Sequence, residues 1–219
     1  MANVYAGTGD ATLLKLTGGG TWSNARGDVS TSGINQSSVT YGSIWNKVTA
    51  GRGSLTHYVY RFYMPFDLSG ESGTADSVNL NIYSDNLGTD ATNESTIYLV
   101  ESTGLAGSGN DFGNIFSSGT TLRTLLGSGT TTTTLGYHTI SLNSDGVDAV
   151  NTAISLGETM TVGAIGYYDY NDSAPPTDGN QVSIRVYHTN YTGTNRDPYL
   201  DITYAAAATD NAIFFGTNF

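Results

Sequence analysis

Few residues of this sequence are of the types that bind metal ions or transfer protons. The chain contains three histidines, His57, His138 and His188, and no cysteine. No two histidines have the spacing that places a pair of ligands on one zinc ion, and the lack of cysteine excludes thiolate zinc sites and disulfides. Because His138 and His188 share strand parity with apolar neighbours, we expect both to be hydrogen-bonded near a sheet face.

The glutamates do not form a pattern that favours catalysis. A glycosidase needs two carboxylates that flank the scissile bond, one of them with a raised pKa. The four glutamates, Glu71, Glu94, Glu101 and Glu158, lie mostly at the ends of predicted strands or in turns. The sequence also lacks a nucleophile elbow, a P-loop and a Ser-His-Asp pattern. We therefore predict that the protein is not an enzyme.

One predicted loop brings carboxylates and tyrosines together. Calcium is bound by roughly six to eight oxygen ligands, so Asp169, Asp172 and Asp178 are candidate calcium ligands. An ordinary acidic loop with no metal is the alternative. Tyrosine rings on an exposed loop can stack on sugar rings, with a framework role as the alternative. The candidate glycan-binding residues are Tyr167, Tyr168 and Tyr170.

Charge and composition exclude several classes of partner. The 219 residues include 8 basic and 19 acidic side chains, a net charge of −11. An acidic surface repels the phosphate backbone and anionic membranes, so we expect no nucleic-acid and no membrane partner. No apolar run approaches the roughly 18 residues of a membrane helix, and the first residues lack the basic and apolar segments of a secretory signal.

Alternation of apolar and polar residues predicts most of the secondary structure. The clearest case follows Leu55, where Tyr58, Phe62 and Phe66 share one face of a strand and Arg61 lies on the other. We expect Arg61 to pair with Asp67 or another surface acid. Further strands are predicted over 77–83, 96–101, 137–142, 160–167, 182–188 and 199–204.

One helix interrupts the predicted strands. Asp145 is the expected N-cap, Val147, Val150 and Ile154 form an apolar face, and Gly157 is the expected end. Many short strands with turn-rich connections indicate an all-β protein. The predicted fold is an antiparallel jelly-roll β-sandwich with one short helix and extended terminal arms.

The chain is predicted to have one folded domain and two flanking segments. Residues 1–54 are interpreted as an N-terminal arm, a first strand and long ordered loops. Residues 55–204 form the jelly-roll sandwich, and residues 205–219 form a C-terminal arm.

Three segments resemble a known family. Phe66-Asp67-Leu68-Ser69, the strand Ser77–Tyr83 and the closing strand Asp197–Tyr204 resemble the DNRLRE-type domain family over about residues 55–204. Pro65 stands where that family usually has Arg, and Val78 replaces a common Ala. The resemblance implies a jelly-roll sandwich of the kind found in extracellular bacterial proteins, polysaccharide-binding modules and phage structural proteins. It implies no catalytic activity.

The segment after the last predicted strand is unusually apolar for a terminus. A spacer of small residues, Ala205–Ala208, precedes four large apolar side chains. Their burial could contribute roughly 6–10 kcal/mol before ordering costs, either on the parent sandwich or on a neighbouring subunit. The candidate partner-binding residues are Ile213, Phe214, Phe215 and Phe219.

A cysteine-free, Thr-, Gly- and Tyr-rich sandwich with an apolar arm is typical of virion proteins. We therefore expect a structural protein on the surface of a tailed-bacteriophage virion, a capsid decoration or cement protein. Its expected partners are the major capsid protein, other virion subunits and further copies of itself. It is expected to need no cofactor, calcium excepted. The alternative is a carbohydrate-binding module, or a tail-fibre or adsorption protein that binds host glycans.

Overall fold

A computed structural model of the protein describes residues 1–27, 33–36, 41–88, 96–106, 111–130, 135–178, 183–189 and 191–206. These residues form fourteen strands and three α-helices. The strands are β1 (Ala2–Tyr5), β2 (Ala11–Gly18), β3 (Gly33–Gln36), β4 (Tyr41–Ala50), β5 (Leu55–Asp67), β6 (Ala75–Gly88), β7 (Thr96–Ser102), β8 (Phe116–Ser118), β9 (Thr121–Leu122), β10 (Leu125–Thr130), β11 (Gly136–Ser141), β12 (Thr159–Gly166), β13 (Ser183–Tyr187) and β14 (Tyr199–Tyr204). The helices are α1 (Trp22–Gly27), α2 (Ser144–Leu156) and α3 (Tyr167–Tyr170), and a 3-10 helix spans Asp111–Gly113.

Two long strands, β5 and β6, each pair with several other strands and so organise the sheet. Its path runs β1-β14-β6-β13-β4-β5-β12-β7-β10, with β11 on β6 and with β2 and β3 beside β5. The first half of β5 pairs with β4 and its second half pairs with β12. Strand β5 therefore passes from one layer to the other. The first layer contains β1, β14, β6, β11, β13 and β4, and the second contains the end of β5 with β12, β7 and β10. The predicted antiparallel β-sandwich is confirmed.

The main core lies between the two layers. Phe62, Phe66 and Val162 from the second layer meet Leu80 and Ile202 from the first, and all five are buried. Alternation along each strand produces this arrangement, because every second side chain points to the same face.

Helix α2 covers one end of the core with Val150 and Ile154. Its N-cap is Asn143, whose side chain accepts a hydrogen bond from Gly146 N, and not Asp145 as expected. The helix ends at Gly157, as predicted, in the left-handed conformation with φ 65°. No helix in the described part of the chain is both long and apolar enough to cross a bilayer.

The second layer is buried on both faces. Behind it lies a second core cluster that includes Leu13, Val59 and Tyr63 on the strands and Phe112 and Phe116 from the segment that covers them. Strand β5 therefore has buried side chains on both faces from Arg61 to Met64. The expectation of a surface-exposed Arg61 is wrong for this reason.

The N-terminal region contributes strands where the sequence suggested one strand and long loops. Strand β1 pairs with β14, and β2 pairs with β5 over eight positions. Strand β4 joins β5 to β13. Polar and small residues dominate this region, so its strands show little alternation of apolar and polar residues. These strands form by pairing with strands that are distant in the sequence.

Strand β4 approaches β2 closely at Gly42. A Cβ atom on Gly42 would lie 1.7 Å from Thr12 Oγ1 and 2.3 Å from His188 Nε2. The next residue, Ser43, donates its backbone N–H to Thr12 Oγ1 at 3.1 Å. Only glycine permits this approach.

Gly42→Ala is expected to destabilise the protein by about 3 kcal/mol, since the added methyl group overpacks a buried junction. Gly70→Ala is the matched control, because a Cβ atom at Gly70 meets nothing within 4 Å. Equilibrium urea unfolding of both variants measures the difference. Equal stabilities would contradict the close approach.

Candidate functional site

A buried ion pair lies behind the second layer. Arg61 on β5 contacts both carboxylate oxygens of Asp169 on α3, at 2.7 Å from Nε and 2.9 Å from Nη2. Both side chains are 0% exposed. The same guanidinium donates to the carbonyl oxygens of Phe112 and Arg26, each at 2.7 Å. Burial alone would lower the pKa of Arg61, but the Asp169 carboxylate raises it above its ordinary value.

A second arginine completes this cluster. Arg26, at the end of α1, donates from Nε to the backbone oxygen of Asp169 at 2.5 Å, and its Nη1 lies 3.7 Å from Asp172. Asp178 instead accepts from Ala50 N at 3.0 Å. Two of the predicted calcium ligands therefore contact guanidinium groups and the third caps β4. Among the described residues, no three potential metal ligands are grouped to hold a metal ion.

Asp169→Asn is expected to destabilise the protein by about 3–5 kcal/mol, because it leaves the buried Arg61 guanidinium without a counter-charge. Asp172→Asn is the matched control: its side chain is 45% exposed and lies at the edge of the same cluster. We expect it to cost less than about 1 kcal/mol. Urea unfolding at pH 7 distinguishes the two, and similar losses would show that the buried pair is not structural.

The predicted glycan-binding tyrosines flank Asp169 on helix α3. Tyr170 stacks on Tyr98 with ring centres 3.8 Å apart and planes 3° apart. Tyr168 and Tyr170 pack against the second core cluster, and Tyr167 contacts Tyr168 edge to face. Protein neighbours therefore occupy much of their ring surface, and this arrangement favours a framework role for them.

A second polar cluster joins β2 to the end of β13. Thr12 Oγ1 lies 3.2 Å from His188 Nε2, and His188 Nδ1 lies 3.7 Å from Asp10 Oδ1. The order of hydroxyl, imidazole and carboxylate is that of a hydrolase triad. However, Thr12 is 1% exposed and the other two are 0% exposed, so no substrate can reach the hydroxyl in this structure. The cluster holds two ends of the fold together.

Burial sets the charge state of this cluster. It raises the pKa of Asp10 from 3.8 to about 6, although Thr189 donates hydrogen bonds to both carboxylate oxygens at 2.9 and 3.0 Å. Burial also lowers the pKa of His188 from 6.5 to about 4. His188 is therefore neutral at pH 7.

Protonation of Asp10 is expected to stabilise the fold as the pH falls. Because its pKa is higher in the folded protein than in the unfolded chain, the folded state takes up the proton first between about pH 7 and pH 4. Asp10→Asn removes this gain, so the change in unfolding free energy from pH 7 to pH 5 should be less favourable in the variant than in the wild type. The control is Asp76→Asn, at an exposed position.

Urea unfolding at the two pH values measures that difference. His188 opposes the gain in both proteins, since its lowered pKa costs stability as the pH falls from 6.5 toward 4. An identical pH response of Asp10→Asn and wild type would contradict the assignment.

A cleft of about 370 Å³ lies between α2, β7 and β12. Four carboxylate residues, Glu101, Asp145, Asp148 and Glu158, contribute to its lining, which includes two of the four glutamates of the chain. Its described lining contains no histidine, lysine or arginine. The cleft therefore brings together like charges but no neighbouring base or cation.

The outer face of the first layer carries a continuous row of tyrosines. Neighbouring rings have centres 5.0–5.5 Å apart, mostly edge to face. They come from β1, β6, β11, β13, β14 and the segment before β14. Two members are well exposed, Tyr5 at 40% and Tyr137 at 37%. The tyrosine row consists of Tyr5, Tyr199, Tyr137, Tyr83, Tyr187 and Tyr191.

Arg196 lies at one end of the tyrosine row. Its guanidinium carbon is 4.9, 4.8 and 4.6 Å from the ring centres of Tyr83, Tyr187 and Tyr191. Its Nη1 donates to Tyr187 Oη at 2.8 Å. Three rings and one hydrogen bond therefore fix the position of this cation.

A second aromatic group lies where β2, β5 and β4 run side by side. Trp45 is opposite Tyr60, and Lys47 and Leu16 are both opposite Tyr58. The Trp45 ring centre is 5.2 Å from Tyr60 and 6.1 Å from Tyr58, and Leu16 is 43% exposed. We call these five residues the Trp45 patch.

The tyrosine row and the Trp45 patch were not predicted as sites from the sequence. One signal was available in the sequence: Tyr83 occupies a polar-face position of its strand, so its ring was expected to lie on the outer side of the sheet. Which tyrosines meet across strands depends on register: Tyr137 is opposite Tyr83, and Tyr5 is opposite Tyr199. Single-strand periodicity does not contain that information. The predicted arm residues, in 207–219, lie outside the described residues.

Comparison with known proteins adds no relative. No protein-family model matches the chain, and no curated protein matches it in sequence. The resemblance to the DNRLRE-type domain family therefore remains a prediction.

Proposed function

We propose that the protein is a non-enzymatic structural protein of a tailed-bacteriophage particle. It decorates the capsid surface by docking its sandwich against the major capsid protein or other virion subunits. The observation that carries the proposal is the Trp45 patch, a sheet surface whose aromatic rings are partly exposed and whose Leu16 is exposed.

The composition of the Trp45 patch suits the centre of a protein interface. Tryptophan and tyrosine are enriched at such centres, where they bury large areas at low entropic cost. Lys47 Nζ lies 5.3 Å from the Trp45 ring centre, so the one charge of the patch is already held against an aromatic face. Docking a partner here removes apolar surface from water without isolating a mobile charge.

The interior chemistry also supports a structural role. The two polar clusters with the densest contacts, around Asp169 and around His188, are buried and bind distant segments of the chain together. They stiffen the sandwich, and a stiff scaffold presents its outer faces in a fixed geometry. The predicted C-terminal arm would add a second attachment point.

Leu16→Asp is expected to reduce the number of copies on the particle at least about tenfold, because docking would bury the new charge in an apolar interface. Leu135→Asp is the matched control, since Leu135 is 64% exposed and does not belong to the patch. The measurement is quantitative mass spectrometry of purified particles that carry either variant, with circular dichroism of each purified protein to confirm folding.

Deletion of residues 209–219 separates the arm from the patch. If the arm docks on a neighbouring subunit, occupancy falls while the urea midpoint of the isolated protein is unchanged. If occupancy is unchanged, the arm has no part in attachment. Absence of the wild-type protein from purified particles would overturn the proposed function as a whole.

A further inference from the structure

The charge balance of the chain makes Arg196 unusual. Acidic residues outnumber basic ones 19 to 8, so an arginine should readily find a carboxylate. The buried arginines do so: Arg61 and Arg26 both contact Asp169. Within the described part of the chain, Arg196 has aromatic rings and a tyrosine hydroxyl as its partners, and no carboxylate in ion-pair range.

The position of Arg196 is fixed before any ligand arrives. The guanidinium is held against three rings, and of its five N–H donors only one on Nη1 has an acceptor among the described residues. A planar guanidinium with free donors matches the two oxygens of a carboxylate. Because the rings already restrict the side chain, binding an anion costs little further entropy.

The surroundings of Arg196 combine rings with small polar groups. The preceding residues Thr192, Thr194 and Asn195 are exposed and offer hydroxyl and amide groups. On the strands beside the row, Thr139 donates to Asn81 at 2.7 Å and Ser141 donates to Asn79 at 2.8 Å. Aromatic rings bordered by hydroxyls and amides suit sugars, which present apolar C–H faces and many hydroxyls.

The tyrosine row and the Trp45 patch differ in the chemical groups that they present. The patch is aliphatic and aromatic, with one cation that rests on a ring. The row extends from two well-exposed rings, Tyr5 and Tyr137, to a cation without an acidic partner in the described residues. Successive ring centres are 5.3–5.5 Å apart from Tyr5 to Tyr187, and Tyr187 is buried while the rings nearer Tyr5 are partly or well exposed.

We propose that the tyrosine row with Arg196 is a binding site for an acidic glycan, in which Arg196 pairs with the carboxylate of a sugar acid and the tyrosines contact neighbouring sugar rings. The site shares no residue with the Trp45 patch, and both lie on the outer side of the first layer. The occupant is a carboxylated polysaccharide or oligosaccharide, of the kind that coats cells.

The test is isothermal titration calorimetry of the full chain with four probes at low salt: the acidic sugars sialyllactose and tetragalacturonate, neutral lactose, and sulfated lactose. We expect at least one acidic probe to bind about tenfold or more tightly than lactose. Arg196→Gln should abolish that preference. Arg52→Gln, at an exposed position away from the row, is the control and should retain it.

A second variant keeps the test valid if Arg196→Gln is misfolded. Tyr191→Ala removes one ring beneath the guanidinium and leaves the charge, and it should weaken the acidic probe severalfold. Each variant is checked by its urea midpoint.

Three results would overturn the proposal. The first is no binding of either acidic probe by the wild type, and the second is an equal loss in Arg52→Gln, which would indicate general charge attraction. The third is equal affinity for sulfated lactose, which would mean that the site selects anions and not sugar carboxylates. The titrations use isolated protein. A negative result would therefore reject the glycan site without testing the capsid proposal, which is tested by particle occupancy.

Discussion

A charge pair with no access to water holds the second layer of the sandwich in place. Arg61 projects from the middle of β5, and its counter-ion Asp169 comes from α3, 108 positions later in the chain. A single buried charge costs several kcal/mol, whereas this pair is compensated by a bidentate contact and two carbonyl acceptors. Loss of either covering segment, α3 or the one around Phe112, would therefore leave the buried guanidinium with fewer of its partners.

The polar cluster around His188 imposes the same kind of constraint on the first layer. It ties the start of β2 to the end of β13, and the bare backbone of Gly42 lies against it. Both clusters join segments that are far apart in sequence, which makes folding slow relative to proteins with local contacts. In return, none of the segments that these clusters join can shift without exposing or isolating a buried polar group.

The alternation of apolar and polar residues predicted features that depend on one strand alone. It failed for features that depend on how a strand packs against another segment. Strands β5 to β7 and β11 to β14 and the glycine end of α2 were predictable, since alternation and capping are local signals, whereas β8 to β10 were not predicted. The burial of Arg61 was not predictable. An arginine on the polar face of an alternating strand is expected to face solvent, and Arg61 is buried only because another segment covers that face. One strand was predicted in residues 1–54. The others there were missed because polar and small residues pair with strands that bring the apolar side chains. The tyrosine row was missed because it exists only after six separate segments adopt one register.

Five of the eight basic residues either lie in the interior or contact an aromatic ring on one side of the first layer. Arg26 and Arg61 are consumed in the interior, and Lys47, Arg185 and Arg196 each lie over an aromatic ring of the first layer's outer side. In a chain with a net charge of −11, these three cations therefore lie over aromatic rings on one side of the first layer. These cations attract anionic groups, whereas Asp197 and Asp201 near the tyrosine row repel them, so electrostatic steering acts around the cations themselves. Such steering weakens as the salt concentration rises, whereas the aromatic contacts formed after binding do not weaken. Salt should therefore slow association more than it speeds dissociation.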